Sequence, residues 1–396
     1  MIDPKKKMAV LQCYNVTLLQ NKRIMKTHFY IIALMASLLM ACSSGNNQKE
    51  TISAGVLKYD SLSIPIDYPS LGYYHQTAHY KDGNTLYWAG YNHWLHSIEV
   101  FDLTNRKTVA SYELEPEGPN AITKNQFSCF LMNDSLFVFR GYRNELKLLS
   151  YKDGKLLKTI FTLSPEEEYQ LQYRGGLDAE YSRGFRMRWN GENIVTPLFA
   201  KNGQKMHDPL FMSVNLLTSE AERLPLTYPE TMQDELGKYG SLTSPYFTMS
   251  EDRMVYNFSY SSQVYVAMKG SDEVQTFAMN SRATSNQSVP KDANIDQRNF
   301  RGNFEYERMV LRFGEVNYDK QSDTYIRLHY DDRPSMFEDR DIYLMVYKNR
   351  TGEMLEYELP KEVTSRYFVV EGYAYFQLKN SEDSHLYFAV VRLADL

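Results

Sequence analysis

The first stretch with a clear strand pattern, residues 73–114, reads YYHQTAHYKDGNTLYWAGYNHWLHSIEVFDLTNRKTVASYEL. Runs rich in aromatic and β-branched residues alternate in it with turn residues, which is typical of short strands joined by hairpins. The pair Asp82-Gly83 supplies the positive backbone angles that a tight hairpin needs. The stretch therefore predicts four successive antiparallel strands, 73–80, 84–90, 95–102 and 107–114.

The same pattern recurs along the rest of the chain. Groups of four strand-like runs begin at Gln126, Arg183, Ser244 and Glu307, and similar turn residues separate the runs. A repeated unit of four strands and about 45 residues is typical of a β-propeller blade. The repeat therefore predicts an all-β propeller.

The last group is short by one strand. Residues 365–370, 373–378 and 386–393 supply three strands, and the strand-like segment Gly55–Ile66 is left over at the other end of the chain. The simplest arrangement lets this N-terminal strand complete the final blade and close the ring. The prediction is six blades, or seven if the long connections contain further strands; a large β-sandwich, or two sandwich domains, is the alternative.

The composition agrees with a sheet protein and excludes some classes of function. Among the 396 residues, 32 Tyr and 20 Phe against 3 Trp are the residue types that favour sheets over helical bundles. A net charge of −5 argues against binding to nucleic acid, which needs a basic surface. The 3 cysteines cannot form a disulfide scaffold.

The amino terminus carries a targeting signal. Basic residues within 22–26 precede the apolar run 29–40, which has the length of a signal-peptide core and is shorter than the roughly 20 residues that span a bilayer. The run ends in the sequence LMAC at residues 39–42, which resembles a bacterial lipobox. The resemblance implies that Cys42 is acylated and becomes the first residue of the mature protein. A plain secretory signal with a chance cysteine is the alternative.

These features divide the chain into three parts. Residues 1–41 are a leader and lipoprotein signal peptide with Met25 as the predicted start, residues 42–50 are a small polar tether, and residues 51–396 are a single β-propeller domain. Two acyl chains on a tethered domain give stable membrane anchoring. The predicted location is the cell envelope, anchored through the lipid to the outer membrane, and the sequence leaves open whether the domain faces the periplasm or the cell surface.

Five segments of the domain resemble a family of Bacteroidota envelope lipoproteins known as domain of unknown function 4221. They are residues 97–103 (SIEVFDL), 117–122 (EGPNAI), 244–247 (SPYF), 343–348 (YLMVYK) and 355–360 (LEYELP). The resemblance spans essentially the whole mature chain. It implies an envelope location and a propeller fold, and it implies no activity, cofactor or site residue.

The sequence contains none of the common motifs of catalysis or metal binding. It has no Gly-x-Ser-x-Gly elbow, no His-Glu-x-x-His pair and no glycine-rich phosphate loop. His75 and His79 fall in a predicted strand, where residues four apart are separated by about 13 Å, too far to share one metal ion. We therefore expect neither a metal nor a cofactor. Asp331 and Asp332 are the best carboxylate pair, but adjacent residues seldom provide the facing geometry of a glycosidase.

Candidate ligand-binding residues lie in the connections that a propeller places on one face. The two longest connections between blades, 164–183 and 279–307, are of the length that is often functional. A mixture of arginine and aromatic side chains suits a carboxylated or sugar-like ligand, and ordinary solvated loops are the alternative. The candidates on this face are Trp94, Arg143, Arg174, Arg183, Arg298, Arg301, Tyr330 and Arg333.

These observations favour a lipid-anchored, non-catalytic binding module whose partner is a glycan, a peptide or an envelope protein. One alternative is a carbohydrate-active enzyme of the envelope, a hydrolase or lyase, because a site assembled across blades leaves no local motif. Carboxylates such as Asp208, Asp331 and Asp332 would then contribute to it. Another alternative is a scaffolding subunit of an envelope complex.

Replacing the predicted acylation site tests the lipobox directly. We expect Cys42→Ala to abolish membrane anchorage and to leave the fold intact, because the change removes the acylated thiol and lies outside every predicted strand. Fractionation of cells labelled with palmitate measures the membrane anchorage and the acylation. Palmitate that persists in the variant would contradict the assignment.

Overall fold

The protein is described by a computed structural model. The described residues are 51–66, 74, 77–92, 94–117, 129–131, 136–141, 145–150, 155–164, 169–171, 187–189, 192–200, 210–229, 238–292, 300–335, 338–379 and 384–396. They are mostly β-strands in a β-propeller arrangement, and the strands form six sheets. Two strands near the amino terminus, β1 (Ile52–Val56) and β2 (Asp60–Pro65), join sheets that lie at the other end of the chain.

The first and second sheets are antiparallel, with strands in chain order. The first contains β3 (Thr77–Asp82), β4 (Thr85–Asn92), β5 (Ser97–Asp102) and β6 (Lys107–Glu113). The second contains β7 (Cys129–Leu131), β8 (Leu136–Gly141), β9 (Glu145–Ser150) and β10 (Lys155–Thr162). In the first sheet β5 is buried along its whole length, whereas β6 alternates between exposed and half-buried residues. This is the pattern of an inner strand and an edge strand.

The third and fourth sheets follow the same plan. The third contains β11 (Tyr169–Leu171), β12 (Arg188–Trp189), β13 (Asn193–Ala200), β14 (Phe211–Asn215) and β15 (Ala221–Arg223), with β11 and β12 both paired to β13. A 3₁₀ turn, Gly240–Thr243, leads into the fourth. That sheet contains β16 (Pro245–Met249), β17 (Arg253–Phe258), β18 (Gln263–Met268) and β19 (Val274–Ala278).

The fifth and sixth sheets complete the set. An α-helix, α1 (Phe300–Met309), precedes the fifth sheet, which contains β20 (Arg312–Phe313), β21 (Asn317–Asp319), β22 (Thr324–Tyr330), β23 (Ile342–Lys348) and β24 (Glu353–Glu358). The sixth contains β25 (Val363–Val370), β26 (Tyr373–Leu378) and β27 (His385–Arg392), and a 3₁₀ turn, Leu393–Asp395, follows it.

The N-terminal segment supplies the fourth strand of the sixth sheet. β2 pairs antiparallel with β27, from Asp60 opposite Val390 to Pro65 opposite His385. The sequence predicted one strand over 55–66, and the structure has two. β1 instead pairs parallel with β24 of the fifth sheet, with a register shift at Gly55, whose φ of +84° disfavours any other residue.

A hydrophobic core lies between each pair of sheets that follow one another in the chain, and a further core joins the sixth sheet to the first. This last core packs Ile64 of β2 and Leu386 and Phe388 of β27 against Trp88 and Phe101 of the first sheet. Each sheet is therefore covered on both faces by its neighbours, which explains why the inner strands are apolar.

The start of the fifth sheet differs from the sequence-based prediction. The run beginning at Glu307 was expected to be a strand because it is rich in aromatic and β-branched residues, but the chain is helical as far as Met309. Tertiary contacts stabilise the helix, such as the hydrogen bond from the Tyr306 hydroxyl to the Val289 carbonyl at 2.8 Å. Within the described part of the chain, no helix has the length and apolar character needed to span a membrane.

Removal of the N-terminal strands should destabilise the fold far more than removal of the tether. Residues 51–66 bury Leu57, Leu62, Ile64 and Ile66, and each such side chain contributes about 1.5–3 kcal/mol. Their loss also exposes the edge of β27, an apolar strand prone to aggregation. We expect a chain lacking 43–66 to aggregate or to melt well below a chain lacking only 43–50, as measured by thermal unfolding. Equal midpoints would show that β2 does not stabilise the ring.

Candidate functional site

Connections between second and third strands lie at the same end of the sheets as the connections between sheets. Among the described residues, this end contains the β4–β5 connection, α1 with the segment before it, and the β22–β23 connection. We call the surface formed by residues 91, 92, 94–97, 279–292, 300–312, 331–335 and 338–341 the loop face. It contains the exposed side chains of Trp94 and Arg301 and the buried or half-buried arginines considered below.

Trp94 projects from the first sheet into solvent. Its exposed fraction is 69%, which is unusual for so large an apolar side chain. Hydrogen bonds hold the turn that carries it. The buried Asn92 side-chain oxygen accepts them from the backbone N–H groups of Trp94 (3.1 Å) and Leu95 (3.2 Å). The indole is therefore presented on an ordered turn.

Asn92 is in turn held by a buried carboxylate. Its side-chain amide donates to Oε1 of Glu99 at 2.7 Å, and the Tyr74 hydroxyl donates to Oε2. Glu99 has no exposed surface, so these donors replace the water that the carboxylate loses on burial. Gly90 allows the arrangement, since a Cβ there would lie 2.4 Å from the Tyr74 ring. Glu99 therefore acts as a positioning residue for the Trp94 loop.

A group of arginines surrounds the C-terminal end of α1. We define the arginine group as Arg308, Arg312, Arg333 and Arg340. Nε of Arg333 donates to the Arg308 carbonyl at 2.9 Å, and the Arg340 guanidinium donates to the carbonyls of Arg308 and, at 3.3 Å, Val310. Cations at this position are favoured because the last carbonyls of a helix form the negative end of its dipole.

The arginine group concentrates positive charge on an acidic protein. Burial together with the neighbouring charges of Arg333 and Arg312 lowers the pKa of Arg308 from its ordinary value. The guanidinium of Arg312 stacks 4.8 Å from the centre of the Tyr330 ring, and that of Arg308 lies 4.2 Å from the Phe304 ring. Because these contacts fix the side chains, the positive charge is held in place before any ligand arrives.

A second polar cluster joins the first strands of three sheets. Arg188 of β12 in the third sheet forms an ion pair with Glu315 of the fifth. The Tyr367 hydroxyl of β25 donates to the Glu315 carbonyl at 2.9 Å and accepts from the Asn317 side-chain amide at 3.0 Å. First strands line the axis of a propeller, so this cluster crosses the central axis and ties non-adjacent sheets together.

A cavity of about 370 Å³ with a mixed polar and apolar lining opens between the second and third sheets. Phe161, Leu163, Leu198 and Met212 line it, with the Arg223 side chain at its edge. Its volume is within the range of small-molecule sites, about 300–1,000 Å³. It is separate from the arginine group, which lies at the fifth sheet.

Residues 50–350 match the family model described as domain of unknown function (DUF4221). The chain belongs to this family. The resemblance drawn from residues 97–103, 244–247 and the other segments is thereby confirmed.

Two solved structures share the fold. A member of the family from Bacteroides vulgatus is 16% identical, with a TM-score of 0.66 over 85% of this chain and 98% of that one. A Bacteroides fragilis protein described as exported is 11% identical, with a TM-score of 0.52 over 87% of this chain and 99% of that one. No curated protein matches this chain in sequence. At these identities the likeness shows the fold alone.

The structure of this DUF4221 protein places the predicted candidate residues at several separate positions. Tyr330 is buried beneath Arg312, and the neighbouring Arg333 is half-buried in the arginine group. Arg301 is at the other end of α1, where its side chain pairs with Glu305 at 2.8 Å. Trp94 is on a different sheet. The candidates outside the described residues are Cys42, Arg143, Arg174, Arg183 and Arg298.

Sequence reasoning missed three members of the arginine group and the Arg188–Glu315 pair. Arg308 had been assigned to a strand but lies in the last turn of α1, so its position at a helix end could not be anticipated. Arg312 is in a strand, β20, as the sequence predicted. Arg340 lies at the end of a connection, with no neighbouring signal. In the described ranges, no three His, Cys, Asp or Glu side chains lie close enough to hold a metal ion.

The Asp331-Asp332 pair is on the loop face beside the arginine group. The backbone N–H of Asp332 donates to Oδ1 of Asp331 at 2.9 Å, and that of Asp331 donates to the Asp341 carbonyl at 3.0 Å. Burial, and then a side-chain hydrogen bond with Asp332, raise the pKa of Asp331, while the hydrogen bond from the Asp332 backbone N–H acts in the opposite direction. A carboxyl group with a raised pKa can donate a proton, which is what the enzymatic alternative requires.

The raised pKa predicts how stability depends on pH. Because folding raises it, the folded state binds this proton more tightly, and the contribution of Asp331 to stability falls as pH rises through the folded pKa. We expect Asp331→Asn to be more stable than the wild type at pH 7, by less than about 1 kcal/mol because the group is partly solvated, and the difference to shrink toward pH 4. Urea unfolding at both pH values measures this. Asp272→Asn, in an exposed turn, is the control; equal pH dependence in both variants would contradict the assignment.

Proposed function

We propose that this DUF4221 protein is an exported, lipid-anchored and non-catalytic binding module that takes a glycan, a peptide or a partner protein on its loop face. The observation that carries the proposal is the Trp94 side chain, exposed on a turn that Asn92 and Glu99 hold in place. Tryptophan provides a large rigid surface for stacking on a sugar ring or an apolar side chain, and it dominates many binding interfaces.

The arginine group adds a preference for negative charge. Arg308 and Arg333 are half-buried and Arg312 and Arg340 are buried, so the first two are the members that a ligand could reach. Guanidiniums suit carboxylate or sulfate groups, which accept two hydrogen bonds from one arginine. It lies on the same loop face as Trp94, on the fifth sheet rather than the first. The proposed ligand is therefore acidic, such as a uronate-containing glycan or an acidic peptide.

The propeller is proposed to have six blades. Support comes from the six sheets and from the hydrophobic cores that join each sheet to the next and the sixth to the first. A ring of this kind places all of the connections that form the loop face on one side.

Export and lipid anchoring are also part of the proposal. The signal-like run before Cys42 supports them, as does the description of the Bacteroides fragilis relative as exported. In this arrangement the polar residues 43–50 link the lipid to β1, and the loop face is available to ligands in the envelope.

A carbohydrate-active enzyme is the second candidate, and one observation favours it. Asp331 has a raised pKa and lies beside arginines that could hold an acidic sugar. Hydrolysis or elimination would need a second group facing it across the bound sugar. Its immediate neighbour Asp332 is adjacent in the chain and does not provide that geometry.

A glycan array combined with turnover assays on the bound ligands separates the two candidates. We expect binding of acidic ligands without turnover and a loss of affinity of about tenfold or more in Trp94→Ala, since truncating a central tryptophan typically has that effect. The matched control is Leu217→Ala, because Leu217 is 82% exposed but lies in a turn between third and fourth strands, at the opposite end of the sheets.

Three results would count against the binding proposal. Equal affinity in the wild type and Trp94→Ala would remove Trp94 from the site. An equal loss in Leu217→Ala would show that the effect is not specific to the loop face. Cleavage of a bound sugar, abolished by Asp331→Asn, would replace the binding module with the enzyme.

A further inference from the structure

One arginine of the fifth sheet is buried completely. Arg327 is near the middle of β22 and has no exposed surface, although arginine is among the residues least often fully buried. Its side chain points toward the fourth sheet, where its Nη2 donates to the carbonyls of Ser262 and Met279, both at 2.9 Å. The guanidinium carbon lies 4.9 Å from the centre of the Phe313 ring.

The third hydrogen bond of Arg327 determines which ring nitrogen of the buried His329 carries the proton. Nε of Arg327 donates to Nε2 of His329 at 3.0 Å, so Nε2 is an acceptor and the ring proton of the neutral histidine is on Nδ1. Burial, and then the charge of Arg327, hold the pKa of His329 well below its ordinary value. His329 therefore contributes a neutral N–H donor beside the cation.

Two of these donors have no acceptor among the described residues. They are Nη1 of Arg327 and Nδ1 of His329, and both are buried. A buried donor without an acceptor is costly and rare in folded proteins. Each of the two donors therefore requires an acceptor.

Within the described ranges, the positive charge of Arg327 also has no bonded carboxylate to offset it. The acceptors that Arg327 has are two carbonyls and a neutral imidazole, and within the described ranges no carboxylate bonds to it. Burial lowers the pKa of Arg327 to about 9, which leaves the guanidinium charged at neutral pH. A buried charge is normally paired with an opposite charge.

We propose that a small monovalent anion of the chloride class binds at Arg327, between the fourth and fifth sheets. It accepts a hydrogen bond from Nη1 of Arg327 and offsets the guanidinium charge. A water molecule would satisfy a donor but would leave the charge unpaired. A phosphate would need more donors than the side chains of Arg327 and His329 offer.

The anion has a structural consequence. Arg327 belongs to the fifth sheet, and the carbonyls of Ser262 and Met279 belong to the end of the fourth, so compensation of its charge stabilises the contact between the two sheets. This proposal is independent of ligand binding on the loop face.

Anomalous diffraction from crystals grown in bromide provides a direct test. We expect a bromide peak in hydrogen-bond contact with Nη1 of Arg327. Peaks confined to the protein surface, or a water molecule at this position, would overturn the proposal.

Thermal unfolding in solution provides a second test. In the purified chain we expect chloride to raise the unfolding midpoint by about 2–4 °C over gluconate at equal ionic strength, and the rise to follow the saturation of a single site. Arg327→Met should lose this dependence because it removes the charge and the donors. Lys320→Met, which removes an exposed lysine of the same sheet, should keep it.

A chloride effect that persists in Arg327→Met, or equal midpoints of the wild type in the two salts, would contradict the proposal. If Arg327→Met does not fold, the bromide position and the salt dependence of the wild type decide the question.

Discussion

The pairing of β2 with β27 is the contact on which the other sheets depend. It joins residues from the two ends of the chain and buries Ile64 and Leu386 completely, so the sixth sheet is complete only when the N-terminal segment has returned to it. The core that links this sheet to the first, including Trp88 and Phe388, needs both strands. Such a non-local contact carries a large loop-closure entropy, which only the cooperative packing of all the sheets can offset.

Local features of the sequence explain why the strand pattern could be predicted. Hairpin turns use residues with positive φ, as Gly83 does at +56°, and these are visible in the sequence. The strands predicted over 84–90 and 107–114 are observed as Thr85–Asn92 and Lys107–Glu113. The N-terminal strand was predicted because the last group lacked one. Its division into two could not be predicted, because it depends on where the edge of β24 lies.

The polar contacts of the candidate site are a different case, because they depend on how strands and sheets pack together in the folded protein. Arg188 and Glu315 are far apart in the chain and meet only because the first strands of a propeller converge on its axis. Arg312 and Tyr330 come together because they lie opposite each other in the antiparallel pairing of β20 with β22. Arg327 and His329 share one face of β22 through the period of two, but their burial is set by the fourth sheet. The spacing of residues along the sequence does not predict such contacts.

The distance between the two halves of the loop face sets a lower limit on the size of any ligand that would contact both. Trp94 is on the first sheet and the arginine group on the fifth, with the sixth sheet packed between them. Packed sheets are about 10 Å apart, so the two features are separated by roughly 20 Å. An extended peptide covers about 3.3 Å per residue and would need about six residues to reach from one to the other. Since both features are held in place by their own hydrogen bonds, the protein cannot bring them together around a small molecule. A ligand that contacts both must therefore be polymeric, which favours a glycan chain, a peptide segment or the surface of a protein over a free metabolite.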